Sequence, residues 1–354
     1  MAIRVLLVED SAVVLAILKI MLMPEKEIEV VGEARTGMEA LTLIPRVKPD
    51  LICTDLHMPH MSGLELTKRV MANCPLPILV ISSAVNKQDT SNVFRLLEAG
   101  ALDVFPKPNE GLSADFDWFR EELIRKINTL SKAKLLKRGI TLRRKNGEIR
   151  TQELKVNRVG GIAHSPCQII AVGASTGGAQ ALQKLFSKLP ENLSVPVICI
   201  LHISDGFLEG FIDWLRDKCN FPLVVPRYGE YPQPGKIYFP REQMHLKLDP
   251  RGRFTHSQER RIEGHRPSIT TTFQSVAQCY GNGSVGILLT GMGWDGVQGM
   301  AAITKAGGWT ITQDEASCAI FGMGKAAINL GVVDEVLSLE EMGSKISHKL
   351  AVSV

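Results

Sequence analysis

The sequence predicts an α/β protein made of two doubly wound parallel-sheet domains. Three observations carry this. Apolar, β-branched runs alternate with helical patterns over the first 120 residues. A second series of the same kind begins at Ile169. Residues able to do chemistry fall just after the strands, where an open parallel sheet gathers its functional groups. At 354 residues the chain has room for two cores. Hydrophobic content of 45% and charged content of 22% are ordinary for a globular protein. No apolar run is long enough to cross a bilayer and no secretory pattern opens the chain. A cytoplasmic protein, not membrane-embedded, is therefore expected. The net charge of +4 makes no case for nucleic acid. The seven cysteines have no C-x-x-C or zinc spacing and read as small buried side chains in a reducing compartment.

In chain order, Ile3–Val8 is the first strand pattern, followed by Glu9 and Asp10. Leu51–Thr54 is next, with Asp55 at its end. Leu76–Ile81 leads into Ser82, and Ala101–Phe105 leads into Lys107. Helical patterns at Ala12–Met23, Gly37–Val47, Gly63–Met71 and Thr90–Ala99 separate them. Clustered carboxylates at strand ends suit a hard divalent cation such as Mg²⁺, which offsets their repulsion and can bridge to a phosphoryl group. Asp55 could then act as a nucleophile and form an aspartyl phosphate, with Lys107 and Ser82 on the phosphoryl oxygens.

The stretches Leu6-Leu-Val-Glu-Asp-Ser11, Asp55-Leu-His-Met-Pro-His-Met-Ser-Gly63, Ile81-Ser-Ser83 and Lys107-Pro108 resemble a two-component receiver domain. The resemblance implies phosphorylation at Asp55 and a Mg²⁺ held by Glu9, Asp10, Asp55 and the His57 carbonyl. It also makes Ser82 and Lys107 the switch residues. Receivers usually carry an aromatic residue three places before the lysine; here that place is Val104. Phe105, one place on, would face the other side of its strand.

The receiver is expected over residues 1–120, then a helical extension and basic linker over 121–163. From Lys132 to Arg158 ten basic residues face two glutamates. This reads as a solvated linker, with electrostatic steering toward an acidic partner as the sharper alternative.

The second domain, 164–354, opens with a strand at Ile169–Val172, a glycine-rich turn containing Ser175 and Thr176, and a helix over Ala179–Leu189. A hydroxyl at such a turn sits where backbone N–H groups converge on negative charge, whether a phosphate or an acyl-transfer oxyanion. Val195–Leu201 is a strand ending at His202, and Phe207–Cys219 is a helix. Ser284–Thr290 is a strand followed by Gly291-Met-Gly-Trp-Asp-Gly296. Three strand ends thus offer a serine, a histidine and an aspartate: nucleophile Ser175, base His202, orienting acid Asp295. The backbone N–H of Met292, with the Thr176 side, is the candidate oxyanion hole. His245, His256 and His265 compete for the base role on spacing alone. A nucleotide-binding turn is the other reading, although the Walker lysine is missing.

Gly173-Ala-Ser-Thr-Gly-Gly178, Leu201-His202, Leu289-Thr-Gly-Met-Gly-Trp-Asp-Gly296 and Gln313-Asp-Glu-Ala-Ser-Cys-Ala-Ile-Phe-Gly-Met323 resemble a CheB-type methylesterase domain. With the receiver in front, the resemblance spans nearly the whole chain. It implies a flavodoxin-like receiver followed by a Rossmann-like three-layer catalytic domain. The implied enzyme is a serine hydrolase that demethylates glutamyl methyl esters and deamidates glutamines on chemoreceptor helices, using Ser175, His202 and Asp295 and no catalytic-domain cofactor. A chemotaxis histidine kinase is the implied phosphodonor. Ile203-Ser204, Thr270 and Gly324 stand where the family tends to have Met-Pro, Asp and Pro, which bears on substrate preference more than on catalysis. Unphosphorylated, the receiver is expected to cover the catalytic crevice. Competing classes are a receiver-controlled binding module without activity, and a methylesterase of a non-flagellar chemosensory system.

Overall fold

The computed structural model describes residues 2–82, 87–107, 116–133 and 166–351. Ser83, Pro108 and the basic run beyond Ala133 lie outside the described residues.

The N-terminal domain runs β1 (Ile3–Val8), α1 (Ala12–Leu22), β2 (Ile28–Ala34), α2 (Gly37–Val47), β3 (Leu51–Asp55), α3 (Gly63–Asn73), β4 (Ile78–Ser82), α4 (Lys87–Ala99), β5 (Asp103–Pro106) and α5 (Phe116–Leu130). The five strands pair in parallel in the order β2-β1-β3-β4-β5. Ser11, Thr36 and Ser62 each cap a following helix, accepting from Val14, Glu39 and Glu65 N–H groups. The sequence reading omitted β2. It is an edge strand whose outer positions stay half-exposed, so its apolar run is short and interrupted by Glu29, Gly32 and Glu33. In α5, Leu123, Ile127 and Leu130 are fully buried against Val5, Leu7 and Leu79. The boundary drawn at residue 120 therefore falls inside the last helix of this domain.

The second domain runs β6 (Ile169–Ala174), α6 (Gly178–Phe186), β7 (Val197–Leu201), α7 (Leu208–Arg216), β8 (Leu223–Val224), β9 (Ile237–Tyr238), β10 (His245–Leu248), β11 (Phe254–Ser257), α8 (Ile269–Tyr280), β12 (Ser284–Leu288), α9 (Val297–Lys305), β13 (Trp309–Gln313), α10 (Met323–Asn329), β14 (Glu335–Leu337) and α11 (Leu339–Ala351). Seven strands form one parallel sheet in the order β14-β13-β12-β6-β7-β9-β8. β10 and β11 form a separate antiparallel hairpin. Alternate residues of β6 serve opposite faces. Ile170, Val172 and Ala174 pack with α6, α7 and α11, while Ile169 and Ala171 pack with α8, α9 and α10. Both domains thus have the parallel, helix-flanked form that the alternation predicts.

One apolar cluster is continuous across the two domains. Phe94 of α4 packs on Phe211 and Trp214 of α7, with ring centroids 5.5 and 5.7 Å apart. Lys218 and Glu98 pair at 2.8 Å at the edge of this contact.

Candidate active site

β6 lies between β12 and β7, so the three central strands deliver their terminal residues to one crevice. Ser175 follows β6, and its N–H donates to the Thr290 carbonyl at 3.0 Å, fixing the turn to the neighbouring strand end. Gly177 takes φ +75°, which lets the chain reverse into α6. Gly291 passes so close that a Cβ there would lie 2.6 Å from Ser175 Cβ and 2.4 Å from Met323 Cε. Glycine at that position is what brings the Met292 loop over the serine. Neither the Thr176 N–H nor the Met292 N–H donates to another group among the described residues. Ser175 is itself buried.

His202 follows β7 and meets Asp295, with Nε2 2.8 Å from Oδ2. Its Nδ1 is buried without a partner. The ring therefore faces the carboxylate with one nitrogen and keeps the other available. Both residues are nearly inaccessible. Asp295 lies against the N-terminus of α8, which suits a negative charge. Its Oδ1 accepts from the Ser268 hydroxyl at 2.8 Å and the Thr270 N–H at 3.0 Å, and its Oδ2 accepts from the Ile269 N–H at 2.8 Å. Burial pushes its pKa up, but the His202 contact and these hydrogen bonds outweigh it, and the carboxyl is held well below its ordinary range.

The three competing histidines sit in different settings. His245 uses both ring nitrogens behind Asp295, on Ser268 N–H and the Arg260 carbonyl. His256 faces the Pro226 carbonyl at 2.9 Å. His265 stacks flat on His202, with centroids 3.7 Å apart and planes 8° from parallel. Burial, then repulsion from a charged His202, holds His265 neutral far below the ordinary histidine range. Thr270 sits under the site, not at its mouth: its Oγ1 accepts the Gly296 N–H at 2.7 Å. Its departure from the family pattern therefore bears on how the Asp295 loop is held. Gly324 likewise packs inward, where a Cβ would meet Thr312 Oγ1 at 2.5 Å.

The first domain closes the crevice. Glu122, Arg125 and Lys126 of α5 line the same pocket as Ser175, His202 and His265. The Gly177 N–H donates to the Leu102 carbonyl at 3.2 Å. The Thr176 hydroxyl donates to Asp103 Oδ2 at 3.1 Å, and Lys126 Nζ holds the same oxygen at 2.8 Å. Gln180 reaches the Leu97 and Ala101 carbonyls, Ser204 the Val104 carbonyl, and Thr129 the Met292 sulfur. Asp103, Lys126 and Ser268 were missed by sequence reasoning. The first two carry no local signal, because their roles exist only across the domain contact. Ser268 gives no local signal either, because the carboxylate it holds, Asp295, lies 27 residues further along the chain.

At the carboxyl ends of the first domain's strands, Glu9, Asp10 and Asp55 place carboxylate oxygens within 4.8 Å of one another. Lys107 Nζ bridges Glu9 Oε1 at 2.9 Å and Asp55 Oδ2 at 2.8 Å. Burial, then the Asp55 charge, pushes Glu9 up to about 7. Burial also raises Asp55, against the pull of Lys107. Glu9 Oε2 is buried with no partner. An oxygen-rich, under-compensated cluster of this kind fits a small divalent cation. Ser82 closes β4, buried, and its carbonyl accepts the Lys107 N–H at 3.0 Å. Val104 and Phe105 do face opposite ways: Val104 joins the cluster shared with the second domain, and Phe105 packs on Phe119 at 4.8 Å.

Among the described residues no helix is long and apolar enough to cross a membrane, and all seven cysteines are free thiols, four of them buried. Residues 170–346 match the family described as CheB methylesterase, and residues 5–113 match the response regulator receiver domain. A protein-glutamate methylesterase/protein-glutamine glutaminase of Nitrosospira multiformis is 34% identical over 99% of this chain and 97% of its own length. One from Pyrococcus abyssi is 37% identical over 96% of this chain and 91% of its own. The crystal structure of the Thermotoga maritima CheB methylesterase catalytic domain, 29% identical, matches 51% of this chain and 98% of its own with a TM-score of 0.50.

Proposed function

The chain belongs to the CheB methylesterase family, with a response regulator receiver domain in front, and on that footing we propose that it is a phosphorylation-gated serine methylesterase acting on chemoreceptor glutamyl esters. It is a hydrolase of the protein-glutamate methylesterase and protein-glutamine glutaminase class. The observation that carries the catalytic assignment is the 2.8 Å His202–Asp295 contact beside Ser175, with His202 Nδ1 left unpaired.

In this reading His202 Nδ1 takes the Ser175 proton as Oγ attacks the side-chain ester carbonyl. Asp295 fixes the tautomer through Nε2 and stabilises the imidazolium. The Thr176 and Met292 N–H groups receive the oxyanion. His202 returns the proton to the departing methoxide, and methanol leaves. Water then attacks the glutamyl-enzyme with His202 again as base. Deamidation runs the same way with ammonia leaving. The substrates are methyl-accepting chemoreceptors.

Regulation resides in the receiver. Glu9, Asp10, Asp55 and the His57 carbonyl would hold Mg²⁺, which would neutralise charge around the phosphoryl group when bound. Asp55 Oδ accepts the phosphoryl group from a histidine kinase, and Lys107 and Ser82 move to its oxygens. The contacts of Leu102, Asp103 and α5 on the nucleophile turn then weaken, and the population shifts toward an open crevice. The test is methanol release from methylated receptor membranes, with and without a small-molecule phosphodonor and Mg²⁺. Release should need Ser175 and rise with the phosphodonor. Release unaffected by Ser175→Ala would overturn the assignment.

A further inference from the structure

The Asp295 carboxylate is clamped from behind, and only part of that clamp is backbone. Of its four donors, two are the N–H groups of Ile269 and Thr270 and one is His202. The fourth is the Ser268 hydroxyl, 2.8 Å from Oδ1. Ser268 is fully buried, and its side chain and N–H are fixed by further hydrogen bonds. Its oxygen accepts the Thr271 N–H at 3.2 Å, and its own N–H donates to His245 Nδ1 at 3.2 Å.

His245 is equally constrained. It is 1% exposed, and its Nε2 lies 3.1 Å from the Arg260 carbonyl. A carbonyl only accepts, so Nε2 must carry the proton; Nδ1 is then the lone pair that the Ser268 N–H needs. A protonated ring would turn an N–H against an N–H. The partners thus select one neutral tautomer, in keeping with the lowering of its pKa by burial. His245 opens β10, and the hairpin is strapped to α8: the Thr272 hydroxyl donates to the Leu246 carbonyl at 2.7 Å, and the Leu248 N–H donates to Ser275 Oγ at 3.1 Å. Packing alone would be met by an apolar residue at 245 without the cost of burying two ring nitrogens.

We propose that His245 and Ser268 are positioning residues that carry the placement of the β10–β11 hairpin through to Asp295 and so set the plane of His202. Neither touches substrate. A carboxylate without the Ser268 clamp can rotate, and His202 Nδ1 then points away from Ser175 for part of the time, which lowers the rate of chemistry more than substrate binding. The relay rests on the triad reading above.

The test uses the full chain, saturated with phosphodonor and Mg²⁺, on methylated receptor membranes, with kcat and KM for methanol release measured beside thermal unfolding. Ser268→Ala should lower kcat about ten-fold with KM unchanged, the size of one lost hydrogen bond to a charged group. Ser268→Thr, which keeps the hydroxyl, should restore most of it. His245→Asn, which keeps an acceptor near Nδ1, should stay close to wild type, and His245→Phe should fall like Ser268→Ala. Wild-type kcat in a folded Ser268→Ala chain would overturn the relay. So would losses that follow only the fall in melting temperature, with no recovery in Ser268→Thr. Release that survives Ser175→Ala removes the triad reading and the relay with it, whereas release that needs Ser175 but ignores Ser268→Ala removes the relay alone.

Discussion

His265 covers one face of His202, and because it is held neutral it can do so without repelling an imidazolium. A flat uncharged ring is what the contact requires. His265→Ala should therefore reduce kcat about ten-fold, the scale of a lost ring stack plus the freedom it releases, and His265→Phe should recover much of that loss. Equal loss in both variants would point to a need for the nitrogen atoms instead. Glu9 supplies a pH prediction. Its folded pKa of about 7 lies above the ordinary 4.5. The folded state then binds the extra proton, so its contribution to stability is present below the lower value and is lost as pH rises through the higher one. Mg²⁺ competes with that proton. Its gain in melting temperature should be larger near pH 8 than near pH 5.5, and equal gains would argue against Glu9 as a ligand.

The β6–α6 turn is held by elements that belong to another domain. β5 offers the Leu102 carbonyl just before it and Asp103 at its start; α5 adds Lys126. Asp103 and Lys126 form a buried pair that breaks at a cost when either partner is removed. Lys126→Ala should raise the unphosphorylated rate several-fold, up to the ~10-fold that one charge-assisted bond can shift, and leave the phosphorylated rate near wild type. An unchanged basal rate would detach this pair from gating. Gly291 marks a constraint within the catalytic domain. A methyl group there meets Ser175 Cβ at 2.6 Å, so Gly291→Ala should cost about 100-fold or more in methanol release. Activity within a few-fold of wild type would show that the loop can yield.

At the scale of the molecule, the two domains share an apolar cluster built on Phe94, Phe211 and Trp214. That contact lies at the α4–α7 side, while β5 and α5 reach the catalytic turn, so docking and coverage of the crevice are parts of one interface. Residues 166–354 alone should release methanol faster than the unphosphorylated full chain, and adding the phosphodonor should narrow the gap. If the isolated domain were no faster, steric gating would be the wrong description. Trp214→Ala, which thins the contact from the catalytic side, should shift the full chain in the same direction by a smaller factor.

The sequence by itself determined the two parallel α/β layers and the strand-end placement of Ser175, His202, Asp295, Asp55 and the Glu9-Asp10 pair. Those follow from local hydrophobic periodicity and from the geometry of strand-to-helix turns, both written in consecutive residues. β2 escaped because an edge strand buries too little to leave a clear run. Only the tertiary structure decided the rest. Strand order placed β6 between β12 and β7, which brought His202 to Asp295 and turned Nδ1 away from it. It also stacked His265 on His202, set Ser268 and His245 behind Asp295, and laid Asp103 and Lys126 over Thr176. These contacts join residues far apart in sequence, whose partners are chosen by packing and hydrogen-bond geometry, and no local pattern encodes such a choice.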